Sequence, residues 1–102
     1  MDPTTLKLFR ELDALRQAAC LSISDVAECC RVTPRTYKQW RAGGVPSARR
    51  EADLHITVMA INNLLATGEL PLHGRSPIAC ARRHRLLMDA MFEANAEEAA
   101  NV

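Results

Sequence analysis

The stretch from Ser22 to Pro46, SISDVAECCRVTPRTYKQWRAGGVP, constrains the fold more than any other part of this chain. It holds two helix starts and one stop within a single short span. Ser22 followed three residues later by Asp25 is a capping-box variant. The hydroxyl accepts an orphan amide, and the acid sits near the positive end of the helix. Thr33-Pro34 repeats the signal, a hydroxyl cap and then a proline preset for the first helical position. Gly43-Gly44 ends the second helix, because glycine takes the left-handed conformation a helix terminus often needs. The segment therefore predicts two short helices joined by a tight turn. Ala27 is small, and Val26, Cys30, Val32, Tyr37 and Trp40 are apolar or aromatic side chains available to a core.

The flanks predict helices as well. Asp2 can cap and Pro3 can open a first helix running to about Ala19, with Leu8, Phe9, Leu12, Leu15 and Ala19 on its apolar side. Lys7, Arg10, Glu11 and Arg16 make its solvated face. Ser47 caps a helix over 47–67, where Leu54, Val58, Ile61 and Leu65 form one stripe. Ile56, Met59, Ala60 and Leu64 make other sides apolar too, and Asn62-Asn63 interrupt them. Gly68 is the stop, and 69–75 is a loop. Ser76-Pro77 opens a last helix, running to about Ala94 within a C-terminal region of 76–96 and carrying Ile78, Leu86, Leu87, Ala90 and Met91. The end, Glu97 to Val102, is expected to fray. With four Gly, five Pro and no sustained polar–apolar alternation, 102 residues predict one all-α domain.

The formal net charge is only +1, but the charges are segregated. Between Arg31 and Arg50 lie Arg35, Lys38, Arg41 and Arg49 with no acid among them. A second basic group is Arg75, Arg82, Arg83 and Arg85, and the tail turns acidic with Asp89, Glu93, Glu97 and Glu98. A concentrated basic patch can hold phosphates on a nearly neutral molecule. No apolar run reaches membrane-spanning length, and MDPTTLKLF lacks the pattern of a signal peptide, so a cytoplasmic protein without a membrane partner is expected. Cys20, Cys29, Cys30 and Cys80 show no metal-ligand spacing, and Cys29 and Cys30 diverge by roughly 100° on a helix. Reduced, packing thiols are the expectation. His55, His73 and His84 show no catalytic or ligand spacing. No nucleophile with its base, carboxylate pair or phosphate loop emerges, so neither catalysis nor a cofactor or metal is expected.

Val26-Ala27, Val32, Tyr37, Trp40 and Gly43, with the string Val-Thr-x-Arg-Thr-x-x-x-Trp-x-x-Gly-x-x-Pro over Val32 to Pro46, resemble the helix-turn-helix of lambda repressor and Cro-like phage and bacterial regulators. The resemblance implies a five-helix lambda-repressor-like domain with extended C-terminal helices and a helix-turn-helix unit over 22–43. One departure is Arg31, where the family usually has glycine at a positive-φ turn, a substitution costing roughly 1 kcal/mol. Carried over by position, Pro34 and Arg35 lie foremost at the bases, with Lys38 and Gln39 one turn later. Arg35 suits guanine O6 and N7, Gln39 suits adenine, Lys38 a base or a phosphate, and Pro34 only an apolar contact such as a thymine methyl. Ser22, Ser24, Thr33, Thr36, Arg41, Arg49 and Arg50 would hold phosphates.

The function so implied is a transcriptional regulator, a repressor above all, that binds double-stranded DNA as a homodimer. It would read a palindrome with half-sites about one helical turn, ~34 Å, apart. Surplus apolar surface on the last two helices suggests Val58, Ile61, Leu65, Leu87 and Met91 as the dimer seam. Two alternatives remain open: an antitoxin or antirepressor acting through a protein partner at Ser76 to Val102, and a recombination-directionality factor that bends DNA.

Overall fold

The structure, a computed structural model, describes residues 3–100, which form five α-helices and no strand. They are α1 (Pro3–Ala18), α2 (Ile23–Cys29), α3 (Pro34–Arg41), α4 (Glu51–Ala66) and α5 (Pro77–Ala100). A 3₁₀ turn, Ala48–Arg50, leads into α4 where continuous helix from Ser47 was expected. The expected cap Asp2 and the last two residues lie outside the described part. Where fraying was expected, 97–100 continue α5 as helix. Glu97, Glu98, Ala99 and Ala100 are good helix formers with no glycine or proline among them to stop it.

α4 is the central element, packed against α1 on one side and α5 on the other. Leu54, Thr57, Val58, Ala60, Ile61 and Leu64 are all buried along it. Only a narrow strip faces solvent, and Asn62 and Asn63 lie there. This placement corrects the expected dimer seam. Val58, Ile61 and Leu87 lie in the chain's own core, where α1, α4 and α5 already cover them, so they are closed to a second molecule. Leu65 and Met91 are half-buried against the same core. The all-round apolar character of α4 reflects two intramolecular neighbours.

α2 and α3 dock as a pair beneath this layer. Ala27 is fully buried at their crossing. Val32 N–H donates to Ala27 O and Arg31 N–H to Glu28 O, the paired bonds of a Schellman terminus. Arg31 stands at its left-handed position with φ 61°, so the turn keeps the shape glycine would favour despite the arginine. The α3 terminus has the same bonds, with Gly43 at φ 115°. At Gly44 an added Cβ would stand 2.9 Å from Gln39 O, so the chain leaves α3 by a path that only glycine fits.

α1 and α3 are joined by aromatic and ionic contacts. Phe9 lies edge-on to Tyr37 and Trp40, with ring centroids 5.1 Å and 5.5 Å away. At the rim of that cluster Tyr37 Oη donates to Asp13 Oδ1 at 2.9 Å, and Arg16 Nε donates to the same oxygen at 2.9 Å. Gln17 Nε2 donates to Oδ2 at 3.0 Å, and Arg41 Nε approaches it to 3.4 Å.

Partial burial alone would raise the Asp13 carboxyl. The hydrogen bonds from Arg16, Tyr37 and Gln17 and the Arg16 charge outweigh it and hold the pKa below its ordinary 3.8. Because the folded value is the lower one, the carboxylate's contribution is present above 3.8. It disappears as pH falls through the folded value. Asp13→Ala is expected to lose about 2–3 kcal/mol of stability at pH 7, since it strands a buried phenol and a guanidinium. Urea unfolding at pH 7 and at pH 3 checks this: the gap to the wild type narrows at the acid pH.

Candidate nucleic-acid interface

α3 divides its residues between two environments. Tyr37 is fully buried and Trp40 nearly so, which fixes the helix to α1. Pro34, Arg35, Lys38, Gln39 and Arg41 lie on the exposed side. The capping geometry follows the expected pattern. Thr33 Oγ1 accepts from Thr36 N–H at 3.1 Å and Pro34 occupies the first turn. Ser22 Oγ accepts from Asp25 N–H at 3.1 Å at the start of α2. Thr33 also donates its hydroxyl proton to Thr36 Oγ1 at 3.1 Å. Of the two threonines, then, Thr36 keeps a hydroxyl proton for an outside acceptor.

The cations on this side fall into two groups. Arg35, Lys38 and Arg49 are exposed and, among the described residues, meet no acid. Arg41 is half-engaged by Asp13 at 3.4 Å, Arg50 by Asp53 at 3.6 Å, and Arg31 by Asp53 at 3.9 Å. Pairs this long on arginines open to solvent in part are weak and yield to a closer anion. Ser24 is exposed and Ser22 keeps its own proton, so both hydroxyls can donate outward.

Between α3 and the segment entering α4 lies an open groove of about 710 Å³. Arg31, Thr33, Thr36, Ser47, Arg49 and Arg50 line it, with Glu28 as its acid. The structure thus brings Thr33, Thr36, Arg49 and Arg50 to one groove. Arg35, Lys38 and Gln39 stand on the exposed side of α3, and Ser22 and Ser24 lie apart at the start of α2. The arrangement offers a row of hydrogen-bond donors and positive charge, which suits an anionic, hydrogen-bond-accepting surface.

Other titratable groups have structural work. Burial pushes the Cys29 thiol up, with Cys30 beside it adding to the effect, and burial raises Cys30 to about 12 despite a weak bond to Thr57. Both are inert packing groups. Cys20 and Cys80 are exposed, unlike the buried thiols expected; Cys20 Sγ meets His73 Nδ1 at 3.4 Å. Asp25, Glu28 and His84 bring donor atoms within 4.8 Å of one another, the one such trio among the described residues. A 2.8 Å hydrogen bond between His84 Nε2 and Glu28 Oε2 accounts for this closeness by tying α5 to α2.

Sequence reasoning missed two roles. Arg83, one of four successive basic or histidine side chains, is buried. It donates to Leu72 O at 2.6 Å and to Cys80 Sγ at 3.3 Å, holding the loop before α5. Asp13 escapes sequence reasoning too: Arg16 and Gln17 are within reach along α1, but Tyr37 and Arg41 come from α3, and nothing in α1 signals them.

Comparison with protein-family models, curated proteins and solved structures finds no match to this chain.

Arg31→Gly is expected to raise stability by about 0.5–1 kcal/mol. It relieves a left-handed arginine, and the gain is partly offset by glycine's greater freedom in the unfolded chain. Thermal unfolding checks it. A fall in stability would mean the long Arg31–Asp53 pair outweighs the backbone strain.

Proposed function

We propose that this chain is a sequence-specific DNA-binding transcriptional regulator, acting as a repressor in the cytoplasm. In this reading α2 and α3 form a lambda-repressor-like helix-turn-helix, and α3 enters the major groove of a palindromic operator bound by two copies. One observation carries the reading: α3 is locked inward by Tyr37 and Trp40 while Arg35, Lys38 and Gln39 stand exposed and uncompensated outside. A helix so held presents a rigid, hydrogen-bonding face of the width the major groove accepts. Arg49 and the groove shared with Arg50 and Thr36 supply phosphate positioning beside it. Repression then needs only occlusion of a promoter. A protein-partner function draws support from a different feature, the exposed Ile78 and Phe92 of α5.

A random-sequence selection with the purified chain tests the reading, followed by mobility shifts on the enriched site. Arg35→Ala is expected to lose about 1–3 kcal/mol of binding and to relax preference at one base position. Binding left unchanged by that substitution would remove α3 from the reading role. Arg49→Ala should instead weaken all sequences alike and reduce the slope of log affinity against log salt by about 0.9, the signature of one lost phosphate contact.

A further inference from the structure

α5 is a helix with two usable faces. Its inner stripe, Arg83, Leu87, Ala90 and Ala94, is buried against the rest of the chain. Its outer stripe is Ile78, Arg82, Arg85, Asp89, Phe92 and Ala96, spaced alternately by four and three residues, and every member is exposed. Ile78 and Phe92 are 81% and 78% exposed and are the large hydrophobic side chains left bare among the described residues. Alternating four–three spacing is the seam pattern by which two helices pack along their length. Arg85 and Asp89 stand one turn apart, yet no ion pair joins them within the chain.

We propose that this outer stripe is a self-complementary dimer seam, with α5 lying antiparallel to the α5 of a second copy. A two-fold axis at the level of Leu87 sets Arg85 opposite Asp89 of the second copy, Arg82 opposite its Phe92, and Ile78 opposite its Ala96. Symmetry repeats each pair, as an isologous interface requires. Every position in the stripe then gains a suitable partner: opposite charges, a guanidinium on an aromatic face, and an apolar contact.

The register is specific. A parallel pairing sets Arg82 on Arg82, Arg85 on Arg85 and Asp89 on Asp89. Sliding the antiparallel pair by seven residues one way opposes Arg82 with Arg85 and Ile78 with Asp89. Sliding it the other way opposes Asp89 with Phe92 and leaves Ile78 without a partner among the described residues. The segregation of charge along α5, basic over 82–85 and acidic from Asp89 onward, favours the antiparallel direction as a whole. This seam rests on the two-fold pairing proposed above, but not on DNA being the ligand.

The test is sedimentation of the full chain without DNA across micromolar concentrations. The wild type is expected to dimerise. Arg85→Asp and Asp89→Arg should each weaken the dimer at least about tenfold by opposing like charges, and the double reversal should restore it. Both changed positions are exposed, so helix content and melting of the monomer, followed by circular dichroism, should stay near wild type in all three variants. A monomeric wild type, single reversals without effect, or a double reversal that fails to restore pairing would each overturn the seam. The selection experiment with Arg35→Ala separates the two proposals. Dimerisation through these residues without duplex binding keeps the seam and removes the DNA reading; sequence-specific binding by a chain that stays monomeric does the reverse.

Discussion

The contact on which the arrangement depends is the one between Asp13 and Tyr37. α3 is only eight residues long, too short to hold its conformation alone, so its orientation has to come from tertiary contacts. Phe9 supplies the apolar part by packing edge-on to both Tyr37 and Trp40. The 2.9 Å bond from the Tyr37 hydroxyl to the Asp13 carboxylate supplies the directional part, fixing the helix against rotation. Arg16, Gln17 and Arg41 complete the carboxylate's coordination, so a partly buried charge is nowhere left short of partners. The exposed side of α3 inherits its direction from this cluster: with Tyr37 and Trp40 facing in, Arg35, Lys38 and Gln39 have nowhere to go but out.

The parts of this design that were legible in the sequence are those whose physics is local. Caps, first-turn prolines and terminal glycines act within a few residues, so Ser22, Thr33, Pro34 and Gly43-Gly44 mark the boundaries of α2 and α3 closely. Arg31 extends that lesson. It departs from the residue the turn prefers, yet φ there is 61°, because docking of α2 on α3 and two Schellman bonds impose the shape. A local penalty of roughly 1 kcal/mol is small beside those constraints. What was not legible depends on partners far away in the chain. Apolar residues at helical spacing show that Val58, Ile61 and Leu87 are buried, but not whether a neighbouring helix or a second molecule buries them. Arg83 is the same problem in polar form, since only the return of the 69–75 loop gives its guanidinium the Leu72 carbonyl.

Charge is distributed by a similar division of tasks. Asp13 binds Arg16 closely, and Asp53 stands loosely between Arg31 and Arg50. Among the described residues, Arg35, Lys38 and Arg49 are left without an acid. A nearly neutral molecule can therefore present a basic side, because Asp13 and Asp53 are used in these pairs, four acids lie along α5 from Asp89 onward, and Glu28 is the acid of the groove. The net charge of +1 says little about such a surface; the positions of the unpaired charges decide it.

α5 shows why its two faces were hard to separate in advance. Hydrophobic residues on opposite sides of a long helix blur the single apolar stripe that marks an ordinary surface helix. Leu87 and Ala90 belong to the inner face, Phe92 and Ile78 to the outer, and all four look alike in a linear reading. Burial separates them. Once the inner stripe is assigned to the core, the remaining residues form an ordered series of apolar, basic, basic, acidic, aromatic and small positions. Reversed, that series reads small, aromatic, acidic, basic, basic and apolar, which is the complement that the original order needs. A stripe selected for solubility alone has no reason to match its own reverse, and a bare phenylalanine among charges detracts from solubility. The match between the two directions is thus the property a two-fold seam demands of a single sequence.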